Sequence, residues 1–129
     1  MASISSGIKV ESNFMNLKAI EQKDIRPEVF TLLAEGESVV SAFKTVRDQV
    51  IFTDKRIFVV NVRGITGKKV AYFSYPYSKI QFFGIETAGL LDIDSELAAV
   101  FSNGTVLLFD FKSNVDIKGI SQIIAQYII

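Results

Sequence analysis

The chain has 129 residues, of which 49% are hydrophobic and 22% charged, and its 14 basic and 14 acidic residues cancel at neutral pH. This composition is typical of one globular domain and excludes a disordered or coiled-coil chain, while the absence of cysteine excludes a disulfide framework and a thiolate zinc site. The zero net charge argues against general affinity for nucleic acid or an anionic membrane. The N-terminal residues lack the basic start and apolar stretch of a signal peptide, so we expect a cytoplasmic protein without a membrane span.

The charges are nevertheless segregated along the chain. Between Lys44 and Lys69 there are seven basic residues against two acidic ones, a net charge of +5. Between Gly84 and Asp110 there are five acidic residues and no lysine or arginine, a net charge of −5. Turns and loops often carry charge, but a basic surface for an acidic partner, including a second copy of the chain, is the alternative.

Two short helices are predicted near the N-terminus, after a loose tail. Phe14, Leu17 and Ile20 recur at helical spacing and predict a helix from Asn13. Pro27, with an acidic first turn and a glycine beyond the end, predicts the second helix.

From residue 38 onward, β-branched and aromatic residues alternate with turn signals at a spacing of about ten residues, which is typical of an antiparallel sandwich or barrel. The domain organisation predicted is therefore a helical extension over residues 1–37 and a β-rich domain over residues 38–129. The predicted strands cover residues 38–46, 49–53, 56–62, 69–75, 79–85, 96–101 and 105–111. Several are apolar on both faces, so we expect a small barrel whose outer face is partly covered by a helix or a partner. Asn103-Gly104 predicts a type I′ hairpin.

The C-terminal segment predicts an amphipathic helix that closes one end of the barrel. Ser113 and Asp116 stand in the positions of a capping box. The apolar stripe consists of Ile117, Ile120, Ile124, Tyr127 and Ile128.

Several short motifs within residues 47–80 resemble the signature of the bacterial pleckstrin-homology (PH) family. They are Arg47-Asp48, the run from Phe52 to Arg56, the run from Gly64 to Lys69, and Tyr75-Pro76-Tyr77. The resemblance extends over about residues 38–129. It implies a mainly β, PH-like barrel of two packed antiparallel sheets with about seven strands, capped by one C-terminal helix. It also implies a non-enzymatic adaptor whose relatives tend to self-associate.

Four basic residues are candidate contacts for an anion or a protein partner: Lys55, Arg56, Lys68 and Lys69. Lys55 and Arg56 follow a turn and begin a strand, with their charges at its rim. Lys68 and Lys69 follow a glycine-containing loop that could cradle an anion. It is not a Walker phosphate loop, because Val62 stands where that motif needs its first glycine and Lys69 replaces the hydroxyl residue.

The residue types that catalysis most often needs are missing. The chain has neither histidine nor cysteine, and no Gly-x-Ser-x-Gly nucleophile motif. Alternating acids at Asp92, Asp94 and Glu96 suggest a calcium loop, but Leu97 and Asn103 occupy the positions that require glycine and glutamate. We therefore expect no catalytic residue, no metal and no cofactor.

A cluster of aromatic residues beside the lysines suggests stacking of single-stranded nucleic acid: Tyr72, Phe73, Tyr75 and Tyr77. An oligonucleotide-binding barrel usually has five strands and an internal helix, whereas this pattern has more strands and its helix last. We expect these aromatics to pack in the core or on the sheet, with no nucleic acid bound.

The function predicted is a PH-like interaction module that forms a homo-oligomer, by strand edges or head to tail, and that can also take another protein partner. Membrane binding is not the expected activity. The alternative prediction is a peripheral membrane or anionic-ligand binding domain.

Overall fold

The computed structural model describes residues 11–87, 94–112 and 115–129. Over these residues the elements are β1 (Glu11–Ile20), α1 (Pro27–Leu32), β2 (Val39–Lys44), β3 (Gln49–Thr53), β4 (Arg56–Arg63), β5 (Lys69–Pro76), β6 (Ile80–Thr87), β7 (Ser95–Phe101), β8 (Val106–Phe111) and α2 (Ile117–Ile128). Short 3₁₀ turns at Gln22–Asp24 and Tyr77–Lys79 complete the chain order. The seven strands predicted after residue 38 and the C-terminal helix are confirmed, with small shifts at their ends.

The strands form one curled sheet in the order β5-β4-β3-β2-β1-β8-β7-β6. Neighbours pair antiparallel except β1 and β8, which are parallel. The two predicted antiparallel sheets are thus joined through β1, an additional strand in the centre of the order. The division into residues 1–37 and 38–129 stays a prediction of domain organisation, although β1 places part of the first segment in the same sheet as the second.

The helix predicted from Asn13 is wrong, because these residues form β1. Phe14 is paired with Phe109 and Leu17 with Phe111, and the register shifts between the two pairs. Asn16 lies inside that shift in the left-handed region, with φ of 56°. The bulge lets two residues three apart pack on the same side of a strand, which reproduces the spacing expected of a helix.

The main core lies between the concave face of the sheet and α2. Ile117, Ile120 and Ile124 of the predicted apolar stripe are buried there, against phenylalanines of the central strands. Phe43, Phe52 and neighbouring rings pack at centroid distances of 4.8–6.3 Å. Packing on the sheet therefore stabilises a helix whose isoleucines and glycine have only modest helix propensity.

A second core covers the outer face of β2, β3 and β4. Ile25 and Val29, from the segment around α1, are buried against Ile51, Phe58 and Val60. These strands are therefore buried on both faces, which confirms the expectation of a covered outer face. The helix α1 begins at Pro27 as predicted, with proline in its first turn.

Two details of the predicted turns and caps change. Asn103 does not have the positive φ that a type I′ turn requires. In the observed turn only Gly104 has positive φ, at 93°, and its N–H donates to the Phe101 carbonyl at 2.9 Å. Asp116 is the N-cap of α2, its carboxylate accepting from the Gly119 N–H at 3.0 Å, while Ser113 lies outside the described residues. No helix in the described ranges is long and apolar enough to cross a membrane.

Candidate functional site

The four predicted contact residues lie at opposite ends of β4. Lys55 and Arg56 stand at its start, and Lys68 and Lys69 stand across the turn beyond its end, where Arg63 pairs with Lys69. The seven residue steps of β4 span about 23 Å at the usual rise of a strand. The structure therefore places these residues in two separate pairs and does not form one basic site from them.

Arg56 is engaged within the subunit. Its Nε donates to Glu37 Oε2 and its Nη2 to Glu37 Oε1, both at 2.9 Å, so the ion pair is bidentate. The remaining donors reach Ser74 Oγ and the Leu32 carbonyl, each at 2.8 Å. The guanidinium thus ties the loop before β2 to the sheet, which favours a structural role over contact with an outside anion.

Glu37 is the buried member of this pair, with a side chain that is 1% exposed. Burial raises the pKa of its carboxyl, but hydrogen bonds from Arg56, Thr53 and the Ala34 N–H outweigh burial and hold the pKa below its ordinary value. The carboxylate is therefore charged and fully used inside the fold. The structure gives it no role toward a ligand.

The turn between β3 and β4 is fixed by tyrosines from distant parts of the chain. Tyr77 donates its buried hydroxyl to the Thr53 carbonyl at 2.7 Å, and Tyr127 of α2 donates to the Asp54 carbonyl at 2.8 Å. The Asp54 carboxylate accepts from the Ser38 N–H at 3.0 Å. The run from Phe52 to Arg56 in the quoted signature is therefore explained by turn chemistry and packing.

The second basic pair belongs to an exposed feature, here called the basic tip. It is formed by the turns of the β2–β3 and β4–β5 hairpins and consists of Val46, Arg47, Ile65, Lys68 and Lys69. Arg47 holds the two turns together by donating to the Gly64 carbonyl at 2.5 Å. Val46 and Ile65 are fully exposed. The tip therefore offers two aliphatic side chains among positive charges.

A different surface lies on the outer face of β6, β7 and β8. Cross-strand pairs align the residues of this face in three rows: Phe82, Val100 and Val106; Gly84, Ala98 and Leu108; Glu86, Glu96 and Asp110. Asp110 is the buried member of the acidic row, at 8% exposed. No Cβ added at Gly84 would meet another atom within 4 Å. The small residues of the middle row thus leave a depression between an apolar row and an acidic one.

This depression, here called the acidic groove, has a volume of about 320 Å³. Met15 of β1 and Leu108 form its apolar end, and Glu86, Glu96 and Asp110 border it. Lys112 bridges Asp110 at 3.7 Å and Asp94 at 3.2 Å, which offsets part of the negative charge. Among the described residues, no acidic group has an arrangement that could hold a metal ion.

The aromatic residues singled out from the sequence lie mostly in packed positions. Phe73 and Tyr77 are buried in the main core, and the half-buried Tyr72 packs edge-on against Phe58. Tyr75 packs on Phe101 at 5.7 Å, and burial raises its pKa. These rings therefore do not form an exposed stacking platform.

Sequence reasoning missed the acidic groove, although its signal was present. Along β6 the residues Phe82, Gly84 and Glu86 are apolar, small and acidic, and β7 has the same three kinds in reverse order. The correct hairpin register therefore pairs residues of the same kind across the two strands. The net negative charge between Gly84 and Asp110 is visible in the sequence, but the register that pairs β6, β7 and β8 does not follow from charge alone.

The model of the family described as "Bacterial PH domain" matches residues 9–128. The chain belongs to this family. Two Bacillus subtilis (strain 168) proteins described as uncharacterized are similar to it. YjqA is 40% identical over 112 residues, covering 85% of this chain and 90% of YjqA, and YozO is 29% identical over 114 residues, covering 88% and 98%.

Crystal structures show the same PH fold. A DUF1696 family protein with a pleckstrin-homology domain from Shewanella loihica PV-4 is 33% identical, with a TM-score of 0.71 over 89% of this chain and 99% of that one. A pleckstrin homology domain from Shewanella amazonensis SB2B is 37% identical, with a TM-score of 0.58 over 85% and 90%. The predicted family and fold class are thus confirmed for this bacterial PH domain.

Proposed function

We propose that this bacterial PH domain is a non-enzymatic interaction module that self-associates into a homo-oligomer. The observation that carries the proposal is the apolar surface that the described residues expose on the outer face of β6, β7 and β8 and on the adjoining β1. The corresponding face of β2, β3 and β4 is covered by Ile25 and Val29, whereas Met15, Phe82 and Leu108 are 42–59% exposed. Contiguous exposed apolar surface in a folded domain is typical of an interaction site.

Charge supports a partner that carries the opposite polarity. The basic tip and the acidic groove lie on different parts of one subunit, so a second copy supplies a complementary surface for each. The strands β5 and β6 also end the described sheet, each with a neighbour on one side. Unpaired strand edges favour pairing with another chain.

The test is the absolute mass by light scattering on a sizing column, at low and high salt. A mass that is a multiple of 14.3 kDa and falls at high salt supports charge-assisted self-association. A multiple that resists salt supports an apolar interface. A monomer at micromolar concentration in both buffers rejects the proposal.

The second candidate function is binding to an anionic membrane or ligand through the basic tip. It is favoured by the exposed aliphatic side chains of Val46 and Ile65 beside Lys68 and Lys69, a combination that suits a membrane interface. Co-sedimentation with vesicles containing anionic phospholipid tests it. Protein that stays in solution at low salt rejects this candidate.

A further inference from the structure

A groove that the proposed function does not use lies at the seam where the curled sheet stays open. The strands β5 and β6 end the described sheet, and the groove lies beside β5, between residues 73–76 and the turn that joins β7 to β8. It is here called the seam groove. The basic tip is at the opposite end of β5, which begins at Lys69, and none of the described residues that line the seam groove borders the acidic groove. The seam groove is therefore a separate surface of the subunit.

The apolar part of the seam groove is aromatic. Tyr75 of β5 and Phe101 of β7 pack against each other across the seam, with their ring centroids 5.7 Å apart. Phe73 and Phe101 are buried, whereas Tyr75 is half-buried. The groove has a volume of about 320 Å³, which is at the lower end of the range for small-molecule pockets. Its size and lining suit a ligand with one ring or a short carbon chain.

Hydrogen bonds fix the turn that forms the second wall. The Phe101 N–H donates to the Thr105 carbonyl at 2.8 Å, and Asn103 Oδ1 accepts from the Thr105 N–H at 3.0 Å. The Ser102 N–H donates to the Lys79 carbonyl at 3.0 Å, which holds this turn against the 3₁₀ turn before β6. Because these bonds form without a ligand, binding does not have to order the wall.

The polar groups that the seam groove leaves available are hydrogen-bond donors. Lys79 is exposed and has no ion pair within the described part of the chain. Asn103 uses its Oδ1 internally, so its available atom is the donor Nδ2. The Thr105 side chain is 7% exposed. Burial raises the pKa of Tyr75, so its hydroxyl stays protonated. Since no acidic side chain is among the described lining residues, these groups suit an anion.

We infer that the seam groove binds a small monocarboxylate whose apolar part is one ring or a short carbon chain. The carboxylate accepts hydrogen bonds from Lys79, Asn103 and Thr105, and the apolar part packs on Tyr75 and Phe101. A single lysine suits a single negative charge, whereas bidentate recognition of phosphate is typical of arginine, which is missing from the described lining residues. The inference goes beyond the proposed function and does not depend on self-association.

Titration of the full chain with phenylacetate, followed by saturation-transfer NMR of the ligand, is the test, because this measurement works for a monomer and for an oligomer alike. Benzylamine has the same ring with a positive charge, and acetate has the carboxylate without the ring, so both are matched control ligands. We expect phenylacetate to saturate its site, and neither control ligand to do so over the same concentration range.

Variants of Lys79 locate the site. Lys79→Gln removes the charge of an exposed side chain and should lower the affinity for phenylacetate about tenfold, since the hydrogen bond lost is to a charged group. Lys79→Arg keeps the charge and should retain most of the affinity. Lys118→Gln, at an exposed lysine of α2, is the matched control and should bind as wild type does. Thermal melts confirm that each variant is folded.

The other outcomes overturn the inference in distinguishable ways. Wild-type protein that phenylacetate does not saturate rejects the seam groove as a ligand site and leaves the proposed self-association unaffected. Equal binding of phenylacetate and benzylamine shows that only the ring is recognised and rejects the carboxylate site. Unchanged binding to Lys79→Gln, or an equal loss in Lys118→Gln, rejects the seam groove as the place of binding.

Discussion

Glu37 and Arg56 form a bidentate ion pair, with both nitrogen–oxygen distances at 2.9 Å, that joins the loop before β2 to the first residue of β4. Arg56 is one of the four residues that the sequence suggested as contacts for an anion or a partner, but its donors are bonded within the subunit. Changes to this ion pair should therefore alter the free energy of unfolding.

Replacing Arg56 by alanine should destabilise the fold by about 3 kcal/mol, because it leaves the Glu37 carboxylate buried without its main partner. Arg56→Lys should recover only part of this loss, since lysine cannot make the bidentate contact. Urea unfolding measures both. Lys55→Ala, at the exposed neighbouring residue, is the control and should change stability by less than about 0.5 kcal/mol. Equal effects at the two positions would contradict the role of the pair.

The same pair predicts a pH dependence. Because the folded pKa of Glu37 lies below its ordinary value of 4.5, its contribution is present above that pH and is lost as the pH falls through the folded pKa. The stability difference between wild type and Glu37→Gln should therefore shrink as the pH is lowered below 4.5. Unfolding curves for both proteins between neutral and acidic pH test this. A difference that stays constant would show that the charge on Glu37 does not contribute.

The bulge in β1 depends on the left-handed backbone at Asn16. Asn16→Gly should leave stability unchanged or raise it slightly, because glycine adopts this conformation without steric cost. Asn16→Val should cost about 1–2 kcal/mol, since a β-branched residue is strained at positive φ. Thermal unfolding distinguishes the two, and equal tolerance of valine would mean that the strand relaxes out of the bulge.

Glu96 stands between Glu86 and Asp110 in the acidic row. Glu96→Lys should stabilise the subunit by about 0.2–1 kcal/mol by replacing two like-charge pairs with opposite ones. The same change should weaken the proposed self-association, because it places a positive charge on the acidic face that we propose to contact the basic surface of a second copy. Denaturation and light scattering on one preparation measure the two effects. Lys118→Glu, an exposed charge reversal on α2, is the control and should leave the assembly unchanged.

Local pattern predicted most of the fold. Seven strands, the proline-led helix and the C-terminal helix follow from residue type, spacing and turn signals, all of which act between near neighbours in sequence. The exception is β1, whose hydrophobic residues are spaced as in a helix although they lie in a strand. Phe14 and Leu17 are three apart on account of a bulge, and a bulge is stabilised by the neighbouring strand β8, which lies far along the chain.

The candidate surfaces were predicted less well for a related reason. Charge counts identified a basic and an acidic segment. They did not show which charged side chains are bonded within the fold, nor which of them lie on the same face of the sheet. Arg56 is taken up by Glu37 from a separate loop, and the row of Glu86, Glu96 and Asp110 exists only once three strands are in register. Both depend on tertiary contacts that no single segment encodes.

The parallel pairing of β1 with β8 also sets an order of events during synthesis. Asn16 and Asp110, which contact each other through the Asn16 N–H, are 94 residues apart, so β1 gains its second neighbour only after β8 has been synthesised. Contacts this distant in sequence slow folding. Until β8 emerges from the ribosome, a nascent chain holds β1 with one open edge, and that interval is when chaperone binding or premature pairing between chains is most favoured.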